Sequence, residues 1–365
     1  PEITIRFIDA GHLLGSSSIE VWGTEEDKQV KLVFSGDIGN GDRPLIRDPE
    51  YIKEADYVIM ESTYGDRTHK RPPDYAPELA QVCRETFTRG GNVVIPAFSV
   101  GRTQEMLFFF RRIKMENLLP EFADFEVYID SPLAVEATNI FQKNVHECFN
   151  ERAQKLLEKG KNPLAFPGLK IAVTSDESRM INFVKKPIVI ISASGMCEAG
   201  RIRHHLKHNL WRPDSTILFV GYQVPGTLGN HLLNGEKSVK LFGEEIEVRA
   251  RITKLPGISG HADQAHLLEW VKAFSSTPKR VFVVHGQDSV CDEFARMVEM
   301  ETGIPAIGPY SGDVYDLAEN VCIVQGSRER AVKKKESHAV SNIFARLVAA
   351  GERLLAVIRK SQGRP

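Results

Sequence analysis

Apolar and polar residues alternate with a period of two through Ile3, Ile5 and Phe7, and similar short apolar runs recur over 17–22, 29–34 and 57–60. That period belongs to a strand with one covered face. The first 68 residues therefore read as β-rich, with the polar stretch 24–27 as a turn. Near residue 78 the pattern changes. Helical spacing over 78–88, 101–113, 133–157 and 198–210 now alternates with compact apolar runs over 92–97, 126–129, 169–173, 187–191 and 216–220. Such alternation predicts a mostly parallel sheet covered by helices on both faces. Residues 237–255 read as a hairpin around Gly243, and helix 264–274, strand 280–284 and helix 291–301 return to a layered core. The polar, basic segment 69–77, with prolines at 72, 73 and 77, reads as a domain boundary.

Beyond Gln325 a basic run (Arg328, Arg330, Lys333, Lys334, Lys335) precedes Ile343, Leu347, Leu354, Leu355 and Ile358 at helical spacing. This tail reads first as a solvated linker with a docking helix, and second as a nucleic-acid or partner contact. The 365 residues leave room for two domains, and 42% hydrophobic with 26% charged residues is an ordinary globular composition. No apolar stretch approaches the roughly 20 residues that cross a bilayer, so no membrane partner is expected, and no signal peptide is evident. A formal net charge of −1 confines any nucleic-acid contact to local basic patches. The five cysteines are scattered, odd in number and without a C-x-x-C pair. They argue against a disulfide framework or a thiolate zinc site and fit a reducing, cytoplasmic setting. Because the chain opens at Pro1 directly on a strand-like alternation, the numbering is expected to start inside a longer protein.

Five chemically capable side chains stand out, and four of them sit at or just past the end of such a run. His261 follows 252–258, His285 follows 281–284, Asp37 follows 29–34 between Gly36 and Gly39, and Glu61 closes 55–60. The fifth, His12, lies between Gly11 and the small residues 15–18, where backbone can approach an ion closely. Loops at the carboxyl ends of strands are where α/β folds collect ligands and catalytic groups. Imidazole with carboxylate is the donor set of an open zinc site. A carboxylate bonded to an imidazole, as Glu61 to His261, would fix its tautomer and raise its pKa toward a proton donor's. The alternative for Glu61 is an ion pair with Arg67.

The strings Asp9-Ala-Gly-His12-Leu-Leu-Gly-Ser, Ser35-Gly-Asp37, Glu61-Ser-Thr-Tyr-Gly-Asp, Ser259-Gly-His261-Ala-Asp and Val284-His285-Gly resemble, in order, motifs 3, 4, A, B and C of the metallo-β-lactamase/β-CASP nucleases. Ile95-Pro-Ala-Phe-Ser-Val-Gly-Arg102-Thr-Gln-Glu, Asp130-Ser-Pro-Leu and Ser192-Ala-Ser-Gly-Met196 resemble the inserted β-CASP domain, and the match spans nearly all of residues 1–325. It is closest in kind to the RNA-cleaving branch. The resemblance implies an α/β fold: a partial metallo-β-lactamase αββα sandwich over 1–68 and 246–325, a β-CASP domain over 69–245, and the tail 326–365. It implies zinc, two ions per complete site, with His12 and His285 as ligands and Asp37 bridging. His261, oriented by Glu61, would protonate the leaving 3′ oxygen as a metal-activated hydroxide hydrolyses an RNA phosphodiester in the cleft between the domains. The implied partner is single-stranded RNA, and the family also allows a homodimer. Phosphate contacts are expected from the loop Ser194-Gly195-Met196 at a helix start and from Arg102, Arg201 and Arg203. The family's His-x-His-x-Asp-His string does not occur in these 365 residues, so this chain is expected to bind zinc weakly or not at all. The cluster His204-His205-x-x-His208 is expected to be a basic helix face, not a substitute. A catalytically silent scaffold and a DNA-processing relative are the competing readings, the second disfavoured by His285.

Overall fold

The computed structural model describes residues 2–25, 28–69, 74–255 and 259–328. In chain order the first strands are β1 (Glu2–Asp9), β2 (Ser17–Glu25), β3 (Lys28–Phe34) and β4 (Tyr57–Glu61). There follow α1 (Tyr75–Thr88), β5 (Val93–Pro96), α2 (Arg102–Met115), β6 (Glu126–Ile129), α3 (Pro132–Lys143), α4 (Val145–Cys148), α5 (Glu151–Glu158), β7 (Leu169–Ile171), α6 (Ser175–Ile181) and β8 (Ile188–Ser192). Next come α7 (Ile202–Asn209), β9 (Thr216–Phe219), α8 (Leu228–Leu233), β10 (Ser238–Leu241), β11 (Glu244–Glu247) and β12 (Arg251–Lys254). The last are α9 (Gln264–Lys272), β13 (Arg280–Val284), α10 (Asp288–Thr302), β14 (Ala306–Ile307), β15 (Val314–Asp316) and β16 (Val321–Val324).

Two six-stranded sheets organise the molecule. The first runs β1-β2-β3-β4-β13-β14, antiparallel across β1, β2 and β3 and parallel from there on. Alternate residues Val33, Val58, Met60, Val281 and Val283 bury one face of it against Leu267, Trp270 and Val271 of α9 and Phe294, Ala295 and Val298 of α10. Burying a side chain of this size contributes about 1.5–3 kcal/mol, and the period of two selects one face. At the edge strand β1 the residues Ile3, Ile5 and Phe7 are exposed.

The second sheet, β12-β9-β5-β8-β6-β7, is parallel throughout. Its strands are covered on both faces, which is why they read as continuous apolar runs and not alternations. Val93, Ile95, Val189, Ile191 and Leu218 enter one core with α1 and α2. Val94, Ile188, Ile190, Ile217 and Phe219 enter another with α7 and α8.

Several expectations change. The single helix over 133–157 is three. The first ends at Asn144, and Asn150 restarts the chain as a cap by accepting the N–H of Ala153, as asparagine does at helix starts. The hairpin around Gly243 is confined to β10 and β11; β12 instead pairs in parallel with β9. β12, which falls inside the return expected from 246, therefore belongs to the second sheet. The helix expected from 198 starts at Ile202, because Gly200 sits at φ +82, where a Cβ would meet the Ala193 carbonyl at 2.4 Å. Residues 310–315 and 322–328 form a separate small unit, in which Asp313 accepts the N–H groups of Tyr310 and Gly326. The basic run beyond Arg328 and the amphipathic segment after it lie outside the described residues.

Candidate active site

The parallel strands β3, β4 and β13 end side by side; β4 ends on Glu61, and the loops leaving β3 and β13 carry Asp37 and His285 to the same place. His12 arrives from the turn after β1, and His261 from the segment before α9. Backbone fixes both. Gly39 forms an isolated bridge with His261 and donates to the Ala10 carbonyl at 2.7 Å, while Asn40 donates to Gly260 and Ala262 to Ile38. Gly39 permits this approach, since a Cβ there would lie 2.0 Å from the Gly11 carbonyl oxygen.

The side chains form one chain of contacts. The Asp37 carboxylate lies 3.9 Å from His12 Nε2 through one oxygen and 3.3 Å from His285 Nδ1 through the other. The His12 and His261 rings are 4.3 Å apart, and those of His261 and His285 6.2 Å. Among the described residues, donor atoms of His12, Asp37 and His261 lie within 4.8 Å of one another, a grouping that could hold a metal ion. Two imidazoles and a carboxylate, with a third imidazole against that carboxylate, are donors suited to zinc. The distances thus bring His261 into the same grouping as His12 and Asp37, while His285, the expected ligand, lies against the other oxygen of Asp37.

Glu61 is 2% exposed. Its carboxylate accepts the Ile38 N–H at 2.6 Å, the Thr63 N–H at 3.2 Å and His261 Nδ1–H at 3.2 Å. Burial alone would push this carboxyl up, but the His261, Thr63 and Ile38 hydrogen bonds outweigh it and hold the carboxyl below its usual range. For His261 burial likewise favours the neutral ring, and the bond and charge of Glu61 reverse the balance, raising its pKa. His12 goes the other way: burial, with the neighbouring His261, lowers it toward the neutral imidazole that a metal requires. Arg67 pairs with Asp66 and leaves Glu61 to His261. His285 holds a left-handed backbone at φ +53, a conformation that costs a non-glycine residue of order 1–3 kcal/mol and tends to cluster at functional sites.

Other expectations need correction. Arg102 is buried against Glu105 and so is not turned to a phosphate. Arg201 donates to Asp130 and to the carbonyls of Ala172 and Val173, tying α7 to the second sheet. Ser194, Gly195 and Met196 precede the first turn of α7 by several residues, so their N–H groups do not form its N-terminus. Gly195 lies under the Phe98 ring. His205 is fully buried, its Nε2 2.5 Å from Asp130, and so leaves the expected basic face.

Sequence reasoning missed Arg43 and Glu105. Arg43, from the first lobe (the part built on the first sheet, as the second lobe is built on the second), donates from Nη1 to the carbonyls of His12 (3.2 Å) and Gly260 (2.9 Å). Its Nε donates to Glu105 of α2 at 2.8 Å. One guanidinium thus holds both histidine loops to the second lobe. Burial would push the Glu105 carboxyl up, but Arg102 and Arg43 keep it below its ordinary range. A glutamate among Met106, Leu107 and Phe108 on a buried helix was the available signal.

Two family models match parts of this chain. Residues 103–232 match the Beta-Casp domain and residues 245–309 the Zn-dependent metallo-hydrolase RNA specificity domain. A ribonuclease of Thermus thermophilus is 36% identical over 78% of this chain and 63% of its own length. An RNase J-like protein of Methanocaldococcus jannaschii is 33% identical over 86% of this chain and 70% of its own. The transcription termination factor FttA of Methanosarcina mazei is 32% identical over 82% of this chain and 47% of its own. The chain thus spans between about half and about two thirds of the length of these relatives.

Proposed function

The chain belongs to the metallo-β-lactamase/β-CASP family of ribonucleases, and from that premise we propose that it hydrolyses RNA phosphodiester bonds with zinc in the cleft between its two lobes. The observation that carries the reading is the meeting of His12, Asp37, Glu61, His261 and His285 at the ends of three adjacent strands.

His12 and Asp37 would hold the cation, with His285 on the second carboxylate oxygen. A second cation would need donors beyond these. When bound, zinc supplies Lewis acidity at a phosphoryl oxygen and a water that ionises near neutral pH. The protein's own part is proton transfer and placement. Glu61 takes Nδ1–H of His261, so Nε2 is the atom left to face the cleft, and the raised pKa keeps a proton available there. That ring is placed to protonate a departing 3′ oxygen, a contribution of about 10²–10⁴-fold for a positioned acid. Arg43 keeps the two histidine loops in register.

The test is cleavage of a single-stranded RNA by the full chain with added zinc. Asp37→Ala should abolish both cleavage and zinc binding. His261→Ala should lower turnover at least about 10²-fold while zinc stoichiometry holds. Zinc loss in that second variant would make His261 a ligand, as its grouping with His12 and Asp37 allows. A zinc-loaded chain that never cleaves RNA would favour the scaffold reading.

A further inference from the structure

Besides Arg102, helix α2 buries Arg111, and no group of the protein answers that second charge. Arg111 is 6% exposed, yet its side chain makes no ion pair and no hydrogen bond among the described residues. Burial pushes it below its ordinary range, and the charge of Glu116 offsets only part of that. A guanidinium taken out of water without a partner is costly, which is why buried charges are normally paired. Arg111 instead lines a cavity of about 500 Å³ between α2 and α5.

The rest of the lining carries the same sign. Arg112, Arg152, Lys155 and Lys159 also border the cavity, against the carboxylates of Glu116 and Glu151. Both carboxylates are already taken. Glu116 accepts Arg112 Nε at 2.9 Å and Nη2 at 3.0 Å, and Glu151 lies 3.3 Å from the Lys155 ammonium. Arg152 stands over the Phe108 ring, 5.6 Å from guanidinium carbon to centroid. Neither it nor Lys159 pairs with a carboxylate among the described residues. Arg111, Arg152 and Lys159 are therefore three unmatched cations around one cavity, a buried one and two exposed ones.

That arrangement selects a class of ligand. A single carboxylate would answer one charge of the three. A guanidinium fork fits the oxygens of a phosphate, and linked phosphates bring several charges within a small volume. The cavity lies about 9 Å further along α2 than Glu105, at 1.5 Å per residue, and its lining includes none of the residues of the candidate active site.

We propose that this cavity binds a compact anion carrying two or more phosphate groups, with Arg111 gripping one phosphate and Arg152 and Lys159 the next.

The experiment is calorimetric titration of the full, metal-free chain with inorganic tripolyphosphate and, separately, orthophosphate. Tripolyphosphate should bind one to one and orthophosphate at least about 10-fold more weakly. Arg111→Met should weaken tripolyphosphate binding about 10- to 150-fold, the loss of one charge-assisted hydrogen bond. Lys159→Ala, at an exposed position, should weaken it about 2- to 5-fold. Without any anion, Arg111→Met should melt no lower than the native chain, because it removes a buried charge that has no partner. A lower melting temperature would give that guanidinium a structural task and overturn the site. Native affinity in Arg111→Met, or no tripolyphosphate binding by the native chain, also overturns it. Orthophosphate binding as tightly as tripolyphosphate overturns the class of ligand. A 5′-hydroxyl oligouridylate should fail to displace bound tripolyphosphate; displacement would make the cavity a contact for RNA backbone and contradict the proposal.

Discussion

Replacing Glu61 by glutamine keeps the shape of the side chain and removes its charge. Burial of His261 remains, so an NMR titration should find the His261 pKa above the ordinary imidazole value of about 6.5 in the native chain and below it in Glu61→Gln. The same pair sets a stability window. The Glu61 pKa is depressed on folding, so its share is present above the unfolded carboxylate value and lost as pH falls through the folded one. The His261 pKa is raised, so its share is present below the unfolded value and lost as pH rises through the folded one. The native-minus-Glu61→Gln difference in unfolding free energy, in metal-free protein, should therefore peak between about pH 4.5 and 6.5 and shrink on either side. At His285 the expected signs oppose. His285→Gly should stabilise the metal-free fold by about 1 kcal/mol by relieving the left-handed backbone, yet weaken zinc binding. A variant that is less stable would show that the ring, not the backbone, dominates there. These residues were legible in the sequence because each sits in a short string at a strand end. The three arginines assigned to phosphate were less so: two of them are occupied inside the fold, and a residue type alone does not say which way a guanidinium turns.

At the scale of elements, α2 carries a buried carboxylate that joins the lobes. Glu105 faces Arg43 and Arg102, and removing one partner from a buried ion cluster costs about 3–5 kcal/mol because the remaining charge is left uncompensated. Urea unfolding of Glu105→Gln should show a loss of that order. Amide exchange at Asn40 and Gly39, which hold the Gly260 and Ala10 carbonyls, should quicken as the histidine loops loosen. Unchanged exchange would mean that the loops are set by their glycine contacts alone. The apolar periodicity reported both sheets because strands buried on two faces and on one face differ in pattern. It could not report where long helical stretches break. Asn144, Asn150 and Gly200 decide that through local capping and backbone conformation, while the pairing of β12 with β9 is a non-local choice.

For the whole molecule, the arrangement is a first lobe whose strand ends carry donors, a second lobe whose strand ends carry the exposed aromatics Phe98 and Tyr222, and a cleft between them. Among the described residues no helix is long and apolar enough to cross a membrane. A cleft was expected from the resemblance, but its lining was outside the reach of sequence patterns, because the walls come from residues nearly two hundred positions apart, Tyr64 and Lys254 among them. The central claim is that His12, Asp37 and His285 hold one cation against which the His261 ring packs. The direct measurement is a zinc titration of the full chain followed through its histidine imidazole NMR signals. The account predicts that His12, His261 and His285 shift together with a single apparent affinity while His204, His208 and His231 stay fixed. Independent shifts of the three, or zinc taken up by the other histidines, would contradict it.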